Sequence, residues 1–356
     1  MGNVAKEIIK PTKSGVFRVV FLYVGQGDAT LLVVPDGESY KYLLVDSNTD
    51  EEAGGIDILK LLKDLFAGSS TGLDIYINTH PHNDHLKAVK DIYEKIGIDQ
   101  IWHSGHTPGK DKENVVYKDF KEVMDELGND KVFLLKGSRE ENKLDDQVVQ
   151  VGDIKYNILA PAEYVSDDIE DEKADKRYSR IHEQCSVIRF RYGKKEKQVL
   201  ITGDADYVAW SEHIADYHKD RLPSTILSAA HHGSNSFFWK ASDTEEDAYE
   251  EHLDKINPTY IVVSAPKQKE SRHDHPDDEA MEKYRDKVGK DAVFHLGAKR
   301  ECVIVDIDLE GNLSLILDDK LVEKYGFKNG GDGGKKESIF FPPPPITKLD
   351  DKPMGK

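Results

Sequence analysis

The stretch INTHPHNDHLKAV places three histidines and one aspartate within six residues. His80 and His82 follow a short apolar run, and residues two apart at the end of a strand point to the same side, so both imidazoles can reach one ion. Asp84 and His85 come where the chain turns into a helix, and they can face a second ion. Neutral imidazoles and a carboxylate are suitable ligands for zinc, and also for manganese or iron. The spacing therefore indicates a metal site rather than a solvated polar loop.

Further histidines stand in two other polar clusters. His275, in the stretch SRHDHP, can serve as a general acid that protonates a leaving group, or as a phosphate contact, with His273 behind it. A surface turn before a helix is the alternative interpretation of this stretch. His103 and His106, in WHSGHTPG, follow another predicted strand and can line the mouth of a substrate site.

Alternating strands and helices are expected to position the first cluster. Apolar runs bounded by Gly-Gln-Gly-Asp and Pro-Asp-Gly turns predict strands, and apolar residues at helical spacing predict helices. The predicted strands are 16–24, 30–34, 40–46 and 73–78, and the predicted helices are 55–68, 85–95 and 115–127. The last of these strands ends directly before the histidines.

The second half of the chain repeats this order of elements. The runs CSVIRFRY and QVLITGD precede a predicted helix near 207–217, and STILSAA and TYIVVSA each lead into a polar cluster. Two halves of this kind predict an α/β fold with four layers, helix, sheet, sheet and helix, in which ligands gather where strand ends converge. One domain is expected over 16–328, after an N-terminal extension (1–15) and before a Gly- and Pro-rich tail (329–356), with a charged insertion at about 162–183.

The composition describes a globular protein with a heavily charged surface, since 33% of the 356 residues are charged. No run of about 18 apolar residues occurs and the first residues lack the apolar segment of a signal peptide, so no membrane association is expected. Two distant cysteines, Cys185 and Cys302, argue against a disulfide framework and fit the reducing cytoplasm. The formal net charge of −18 repels bulk nucleic acid, although a divalent ion reverses the sign of the charge locally.

Five motifs in order resemble the metallo-β-lactamase superfamily, and more narrowly the soluble hydrolase domain of the DNA-uptake protein ComEC and its stand-alone relatives. The motifs are FLYVGQGDATLL, LLVDSN, VLITGDAD, AAHHGSNS and SRHDHP, together with the histidine cluster itself, and they span about 17–305. The resemblance implies a metallo-β-lactamase-like four-layer αββα sandwich. One departure stands out, because the family usually has two glycines where this chain has Lys87 and Ala88. Either the helix stands further from the sheet, or Lys87 adds positive charge at the rim of the site.

The resemblance also implies two divalent ions, with zinc as the first choice and manganese as the second. The implied metal ligands are His80, His82, Asp84, His85, Asp204 and His231. His80 and His82 would bind the first ion and Asp84 and His85 the second. Asp204 would bridge the two ions; capping of the following helix is its alternative role. His231 would complete the second site, with His232 as its rival.

The third protein ligand of the first ion is not fixed by the resemblance. The matching place is the stretch RIHEQCSVIRF, where His182 is the first choice and Cys185 the second. A buried cysteine that enters a strand is often simply a small core residue. Asp28 and Asp46 resemble residues that orient the imidazoles, although a turn carboxylate and a strand-end turn explain them equally well.

The implied chemistry is hydrolysis by a metal-bound hydroxide, with Asp84 and Asp204 holding the ions and His275 supplying a proton. A phosphodiesterase or nuclease acting on DNA, RNA or nucleotides is the first expectation. A carboxylic-ester or lactone hydrolase is the alternative, since fold does not fix the substrate. A third hypothesis is a partner-regulated component of a multi-protein system, because the tail stretch SIFFPPPPITKL can dock on another protein. The sequence leaves the oligomeric state open.

Overall fold

The structure is a computed structural model. It describes residues 2–108, 113–145, 147–165, 173, 176–177, 180–240, 247–328 and 340–341. Part of the predicted charged insertion, and the predicted docking tail except 340–341, lie outside the described residues. Within the described ranges no helix has the length and apolar character needed to cross a membrane.

The strands and helices alternate along the chain as the apolar runs predict. The strands are β1 (Phe17–Phe21), β2 (Thr30–Asp36), β3 (Ser39–Val45), β4 (Leu73–Asn78), β5 (Ile98–His103), β6 (Val132–Leu134), β7 (Lys143–Leu144), β8 (Gln147–Val148), β9 (Lys155–Ala160), β10 (Val187–Tyr192), β11 (Lys197–Ile201), β12 (Ile226–Ser228), β13 (Tyr260–Val263), β14 (Val293–His295), β15 (Cys302–Ile307), β16 (Leu313–Asp318) and β17 (Phe340–Phe341). The α-helices are α1 (Val4–Ile9), α2 (Ile58–Leu65), α3 (Asn83–Leu86), α4 (Val89–Lys95), α5 (Val115–Leu127), α6 (Glu251–Ile256), α7 (Asp278–Val288), α8 (Leu296–Lys299) and α9 (Lys320–Tyr325). A π-helical segment covers Ala209–Ile214.

The described strands form two large sheets. Nine strands pair in the order β17-β16-β15-β1-β2-β3-β4-β5-β6, and six in the order β14-β13-β12-β11-β10-β9. The pairs β3–β4 and β4–β5 in the first sheet, and β11–β12 and β12–β13 in the second, are parallel. The polar motifs of the sequence follow the carboxyl ends of β3, β4, β11 and β12, and this places them at one edge of the molecule.

The two sheets pack face to face between two layers of helices. In β1, Val19 belongs to the core between the sheets, whereas Val20 belongs to a second core beneath α1, α2, α4 and α5. This alternation follows from the two-residue period of a strand. In the second sheet Leu200 and Ile261 pack in a third core, under helices that include α6 and α7. The predicted α/β sandwich with four layers is therefore confirmed.

The helix after the histidine cluster differs from its prediction. In place of one helix over 85–95 the chain forms α3 and α4, interrupted at Lys87 and Ala88. The backbone N–H of Ala88 donates to the carbonyl of Ser47 at 3.0 Å, and the carbonyl of Asp84 accepts from the N–H of Asp28 at 3.3 Å. Since these bonds replace the helical bond between positions 84 and 88, the break ties the cluster to two neighbouring loops.

His252 makes stability dependent on pH. Its ring is fully buried in α6, 4.0 Å from the Phe237 ring centroid, and neither ring nitrogen has a hydrogen-bond partner among the described residues. Burial lowers its pKa from 6.5 to about 3. The folded state therefore binds fewer protons than the unfolded state below pH 6.5, and stability falls as the pH falls. At pH 5 the loss is about 2 kcal/mol.

The variant His252→Phe is accordingly expected to lose less stability than the wild type between pH 7 and pH 5. Urea unfolding at the two pH values measures the difference, which we expect to be about 2 kcal/mol. His273→Phe, at an exposed position, is the matched control and should keep the wild-type dependence. Equal pH dependence in wild type and His252→Phe would contradict the assignment.

Candidate metal centre

The histidine cluster begins where β4 ends. Nε2 of the buried His80 lies 3.0 Å from Nδ1 of His82. On the other side of the His80 ring, Nδ1 lies 3.2 Å from Oγ1 of Thr79, so Nε2 is the atom that faces the site. The N–H of His82 donates to the carbonyl of His80 at 3.0 Å and closes a tight turn. The two imidazoles therefore converge on one point, as their spacing predicts.

A first group of ligand atoms comes from His80, His82, His182 and Asp204, and these atoms all lie within 4.8 Å of one another. Nε2 of His182 lies 3.3 Å from Nδ1 of His82 and 3.9 Å from Oδ2 of Asp204. The same carboxylate oxygen lies 3.5 Å from Nε2 of His80. Three imidazoles and a carboxylate form a donor set that suits zinc.

A second group comes from Asp28, His85, Asp204 and His232, again with all ligand atoms within 4.8 Å. Nε2 of His85 lies 3.3 Å from Nε2 of His232 and 3.3 Å from Oδ1 of Asp204. Asp84 borders this group, because its Oδ2 lies 3.5 Å from Nε2 of His232. The structure thus brings Asp84, His85 and Asp204 together, as the sequence predicts.

Asp204 belongs to both groups. Its Oδ2 lies beside the first group and its Oδ1 beside the second. Asp204 reaches this position because the chain turns at Gly203, whose φ is +48°. A Cβ at this glycine would lie 2.6 Å from Sγ of Cys185 and 2.7 Å from Cβ of Thr79. Only glycine therefore lets the end of β11 approach the end of β4 this closely. The N–H of Asp204 donates to Sγ of Cys185 at 3.2 Å.

The arrangement of donors fits two divalent ions. Oδ1 of Asp204 is buried without a hydrogen-bond partner among the described residues, and a buried polar atom of this kind normally has one. Several imidazole nitrogens face each other at 3.0–3.3 Å, and neutral rings cannot all donate to one another. Cations at the two groups would accept lone pairs from the carboxylate oxygen and from the imidazole nitrogens.

Hydrogen bonds behind the imidazoles fix which nitrogen faces the site. Nδ1–H of His85 donates to Oδ2 of Asp46 at 2.8 Å, and Nδ1–H of His232 donates to the carbonyl of Ser264 at 3.0 Å. Both rings therefore direct Nε2, rather than Nδ1, toward the ligand atoms. Asp46 also accepts from the backbone N–H and the hydroxyl of Thr79, at 2.9 and 2.6 Å. Its geometry matches the orienting role that the sequence suggests.

Asp28 lies closer to the centre than the sequence suggests. It was expected behind an imidazole, yet its carboxylate belongs to the second group of ligand atoms. Gly27 allows this close approach, because a Cβ there would lie 2.3 Å from the carbonyl of Asp84. Burial raises the pKa of Asp28, and the nearby His232 and His85 oppose that rise. A bound cation would stabilise its ionised form further.

The structure distinguishes the two histidines of the His-His-Gly-Ser motif. His232 is buried and belongs to the second group, whereas His231 belongs to neither group. Nδ1 of His231 lies 2.8 Å from Oγ of Ser236, and its Nε2 lies 3.5 Å from Oδ2 of Asp204. Both histidines have positive φ, +48° and +55°, so they share one backbone conformation, and their side chains leave successive positions of the turn in different directions. His232, which the sequence analysis gives as the alternative to His231, is thus the histidine that joins the ligand atoms.

The structure also separates the two candidates for the third ligand of the first site. Cys185 is buried behind His80, with Sγ 3.7 Å from Nδ1 of that ring, on the side away from the ligand atoms. Burial holds the pKa of its thiol well above its ordinary value, so the sulfur is uncharged. His182 instead joins the first group.

Two contacts hold the turn that carries His182. Glu183 pairs with Arg180 at 2.6 Å and with Nε2 of His213 at 3.0 Å. Oε1 of Gln184 lies 2.6 Å from Nδ1 of His106, which is buried. The sequence placed His106 at the substrate mouth, and the structure gives it a supporting contact instead.

The stretch with His273 and His275 lies beside His231. The His275 ring is 5.2 Å from the ring of His231 and its Nδ1 is 3.6 Å from Oδ2 of Asp277. His275 is therefore separated from the ligand atoms by His231. His273 is exposed and lines a cavity of about 320 Å³ that also borders Asp84.

The charges of the centre are suited to ions. Burial holds the pKa values of His80 and His182 well below the ordinary histidine value, so both rings are neutral. Burial alone would raise the pKa of Asp204, but the surrounding imidazoles, led by His232 and His85, outweigh it and hold the pKa well below its usual range. In the second group, burial opposes protonation of the rings, but the carboxylates led by Asp204 outweigh it: the pKa of His85 is held well above its ordinary value and that of His232 is raised to about 9. A cation at the first group would meet neutral imidazoles, whereas one at the second group would displace a proton from each ring.

Solved structures similar to this chain include several metal-dependent proteins. CmlA, a diiron β-hydroxylase from Streptomyces venezuelae, is 13% identical with a TM-score of 0.43 over 80% of this chain, which spans 53% of CmlA. Igni18, a metallo hydrolase from Ignicoccus hospitalis, is 14% identical with a TM-score of 0.45 over 78% of this chain and 94% of its own. YhfI from Bacillus subtilis, described as a metallo-β-lactamase fold protein, is 12% identical with a TM-score of 0.40; the match covers 78% of this chain and 95% of YhfI. No protein-family model and no curated protein sequence matches the chain.

Proposed function

We propose that this protein is a metal-dependent hydrolase that cleaves phosphodiesters. The observation that carries the proposal is the pair of ligand groups that share Asp204. When two divalent ions occupy such a pair of sites, they lower the pKa of a water and offset negative charge on the oxygens of the substrate. The donor set, rich in histidine, favours zinc, and its carboxylates also accept manganese.

Each residue of the centre then has a distinct role. His80, His82 and His182 would hold the first ion, and His85 and His232 would hold the second with Asp84 and Asp28. Asp204 offers Oδ2 to the first group and Oδ1 to the second. Asp46 holds the ring of His85 in the orientation that ligation needs.

His231 is a candidate for the side chain that contacts the leaving oxygen. Its Nε2 lies 3.5 Å from Oδ2 of Asp204, and its side chain remains partly exposed to an incoming substrate. His275 lies behind it, with the rings 5.2 Å apart, and Asp277 lies 3.6 Å from His275. Burial lowers the pKa of His231 to about 4, against the opposing effect of Asp204, so its ring is neutral at pH 7. We therefore assign to His231 a hydrogen bond to the leaving oxygen, with His275 as a positioning residue.

Positive side chains beside the second group favour a phosphodiester over a carboxylic ester or lactone. Lys87 and Arg272 line the cavity that borders Asp84. A phosphodiester is negatively charged throughout hydrolysis, whereas an ester or lactone is neutral before attack, so only the former gains from these cations in the ground state. The net charge of −18 favours a small nucleotide-type diester over long nucleic acid.

Hydrolysis of bis(p-nitrophenyl) phosphate and of p-nitrophenyl acetate by protein loaded with Zn²⁺ or Mn²⁺ tests the proposal. We expect the diester to be cleaved in preference, and a screen of dinucleotides, cyclic dinucleotides, RNA and DNA to show preference for the small substrates. Asp204→Asn, purified identically, is the control for contaminating activity. Cleavage of the acetate with none of the diesters would overturn the proposal in favour of an ester hydrolase.

A further inference from the structure

A second feature adjoins the metal centre: the cavity of about 320 Å³ beside Asp84 is lined almost entirely by polar side chains. Its walls come from the loop between β1 and β2, the loop after β3, the segment from α3 to Lys87, the start of α5, and residues 272–273. The hydrogen-bond donors among its lining residues are Gln26, Asn48, Asn83, Lys87, Arg272 and His273. Asp84 forms part of the lining and also contacts His232, so the cavity is continuous with the second ligand group.

Gln26 is the most informative of these residues. It is 5% exposed, and its side-chain amide is held because Oε1 accepts from the hydroxyl of Ser271 at 2.8 Å. Its backbone is fixed too, since its N–H donates to Asp50 at 3.2 Å and its carbonyl accepts from the amide of Asn48. The amide nitrogen Nε2, in contrast, is buried without a hydrogen-bond partner among the described residues. A held amide with unused N–H groups in a cavity wall is a donor prepared for an oxygen of a ligand.

Lys87 and Arg272 add positive charge at the rim of the same cavity. Nζ of Lys87 donates to the carbonyl of Thr49 at 2.6 Å, which holds the ammonium near the cavity and leaves it further protons to donate. Arg272 is anchored by Glu52 at 2.7 Å. The carboxylate of Asp50 is occupied by backbone N–H groups, among them those of Glu52 and Ala53 at 3.1 and 3.3 Å.

We propose that this cavity binds a second, non-scissile phosphate of the substrate. The inference rests on the proposed phosphodiesterase function and specifies its substrate class: small nucleotide diesters that carry an additional phosphate monoester. The amide of Gln26 donates to a phosphate oxygen, and Lys87 and Arg272 balance its charge. The bound phosphate fixes the diester next to Asp84, so binding at the cavity positions the bond that is cleaved.

A pair of substrates that differ by one phosphate tests the subsite. We expect the Zn²⁺-loaded protein to cleave a 5′-phosphorylated thymidine dinucleotide with a kcat/KM roughly tenfold above that for the unphosphorylated dinucleotide. Lys87→Ala and Gln26→Leu should reduce this ratio toward one, and Gln26→Glu should invert it, because a carboxylate would repel the phosphate. Lys90→Ala, a lysine paired with Asp119 and Glu122 on the surface of α4, is the matched control and should keep the wild-type ratio.

Direct binding separates failure of the subsite from failure of the proposed function. Calorimetry should show that thymidine 3′,5′-bisphosphate binds the metal-loaded wild type more tightly than thymidine 5′-monophosphate, and that Lys87→Ala loses this difference. Metal content and thermal melting of each variant establish that it is folded and loaded. Equal substrate ratios and equal binding in wild type and Lys87→Ala would overturn the subsite. Tighter binding of the bisphosphate without cleavage of any diester would support the subsite and overturn the proposed function.

Discussion

Replacing Asp204 with asparagine is expected to remove both bound ions and to lower phosphodiester hydrolysis by about a thousandfold or more. One carboxylate supplies a ligand atom to each group, so loss of its charge weakens both sites at once. A metal pair contributes several kcal/mol to stabilisation of the transition state, and about 4 kcal/mol corresponds to that factor. Metal analysis of protein purified without chelator and turnover of bis(p-nitrophenyl) phosphate measure the two effects.

Asp206→Asn is the matched control for Asp204→Asn. It removes a carboxylate two residues along the same turn, where Asp206 accepts from the backbone N–H of Ala209 at 3.1 Å and lies outside both ligand groups. The control should keep its metal content and most of its activity. Two equivalents of metal in Asp204→Asn would contradict the shared-carboxylate assignment.

The neighbouring variants His232→Ala and His231→Ala are both expected to lose activity, but only His232→Ala is expected to lose metal. His232 belongs to the second ligand group, so its loss should reduce the metal content from two equivalents to about one and lower turnover at least a hundredfold. His231 belongs to neither group, so His231→Ala should keep two equivalents and lose activity through the missing hydrogen bond to the leaving oxygen. Such a hydrogen bond contributes about tenfold.

Metal stoichiometry decides between the two histidines independently of activity. The same two variants control for each other, since they remove identical side chains from adjacent positions of one turn. Loss of metal from His231→Ala, with two equivalents retained by His232→Ala, would restore the ligand set that the sequence resemblance favours. Loss from neither would show that the second group does not hold an ion.

The sandwich of four layers could be predicted from the sequence because its information is local. Strands buried on both faces appear as continuous apolar runs, as in β1 and β2, and α5 coincides with its predicted bounds. The broken helix at Lys87 and Ala88 could not be predicted. Its cause is a backbone hydrogen bond to Ser47, a residue that is distant in sequence, and no local propensity encodes such a bond.

The choice of His182 could not be settled from the sequence. His182 and Cys185 are three residues apart in one short turn, and both residue types bind zinc. The structure places the cysteine behind His80 and the histidine in front of it, because the turn is held by Gln184 and Glu183. Gln184 contacts His106 and Glu183 contacts His213. The stretch RIHEQCSVIRF contains no signal that predicts either contact.

The sequence by itself predicted most of the candidate donors: the compact cluster His80, His82, Asp84 and His85, and the aspartate at the end of β11, where the glycine before it permits a sharp turn. Tertiary structure alone decided which candidate donors lie in the same group. His85 and His232 are 147 residues apart, yet their Nε2 atoms lie 3.3 Å apart because strand ends from two sheets meet at one edge. Adjacent residues such as His231 and His232 have the same chemistry and the same left-handed backbone conformation, and only their positions in the folded turn bring one of them to the ligand atoms.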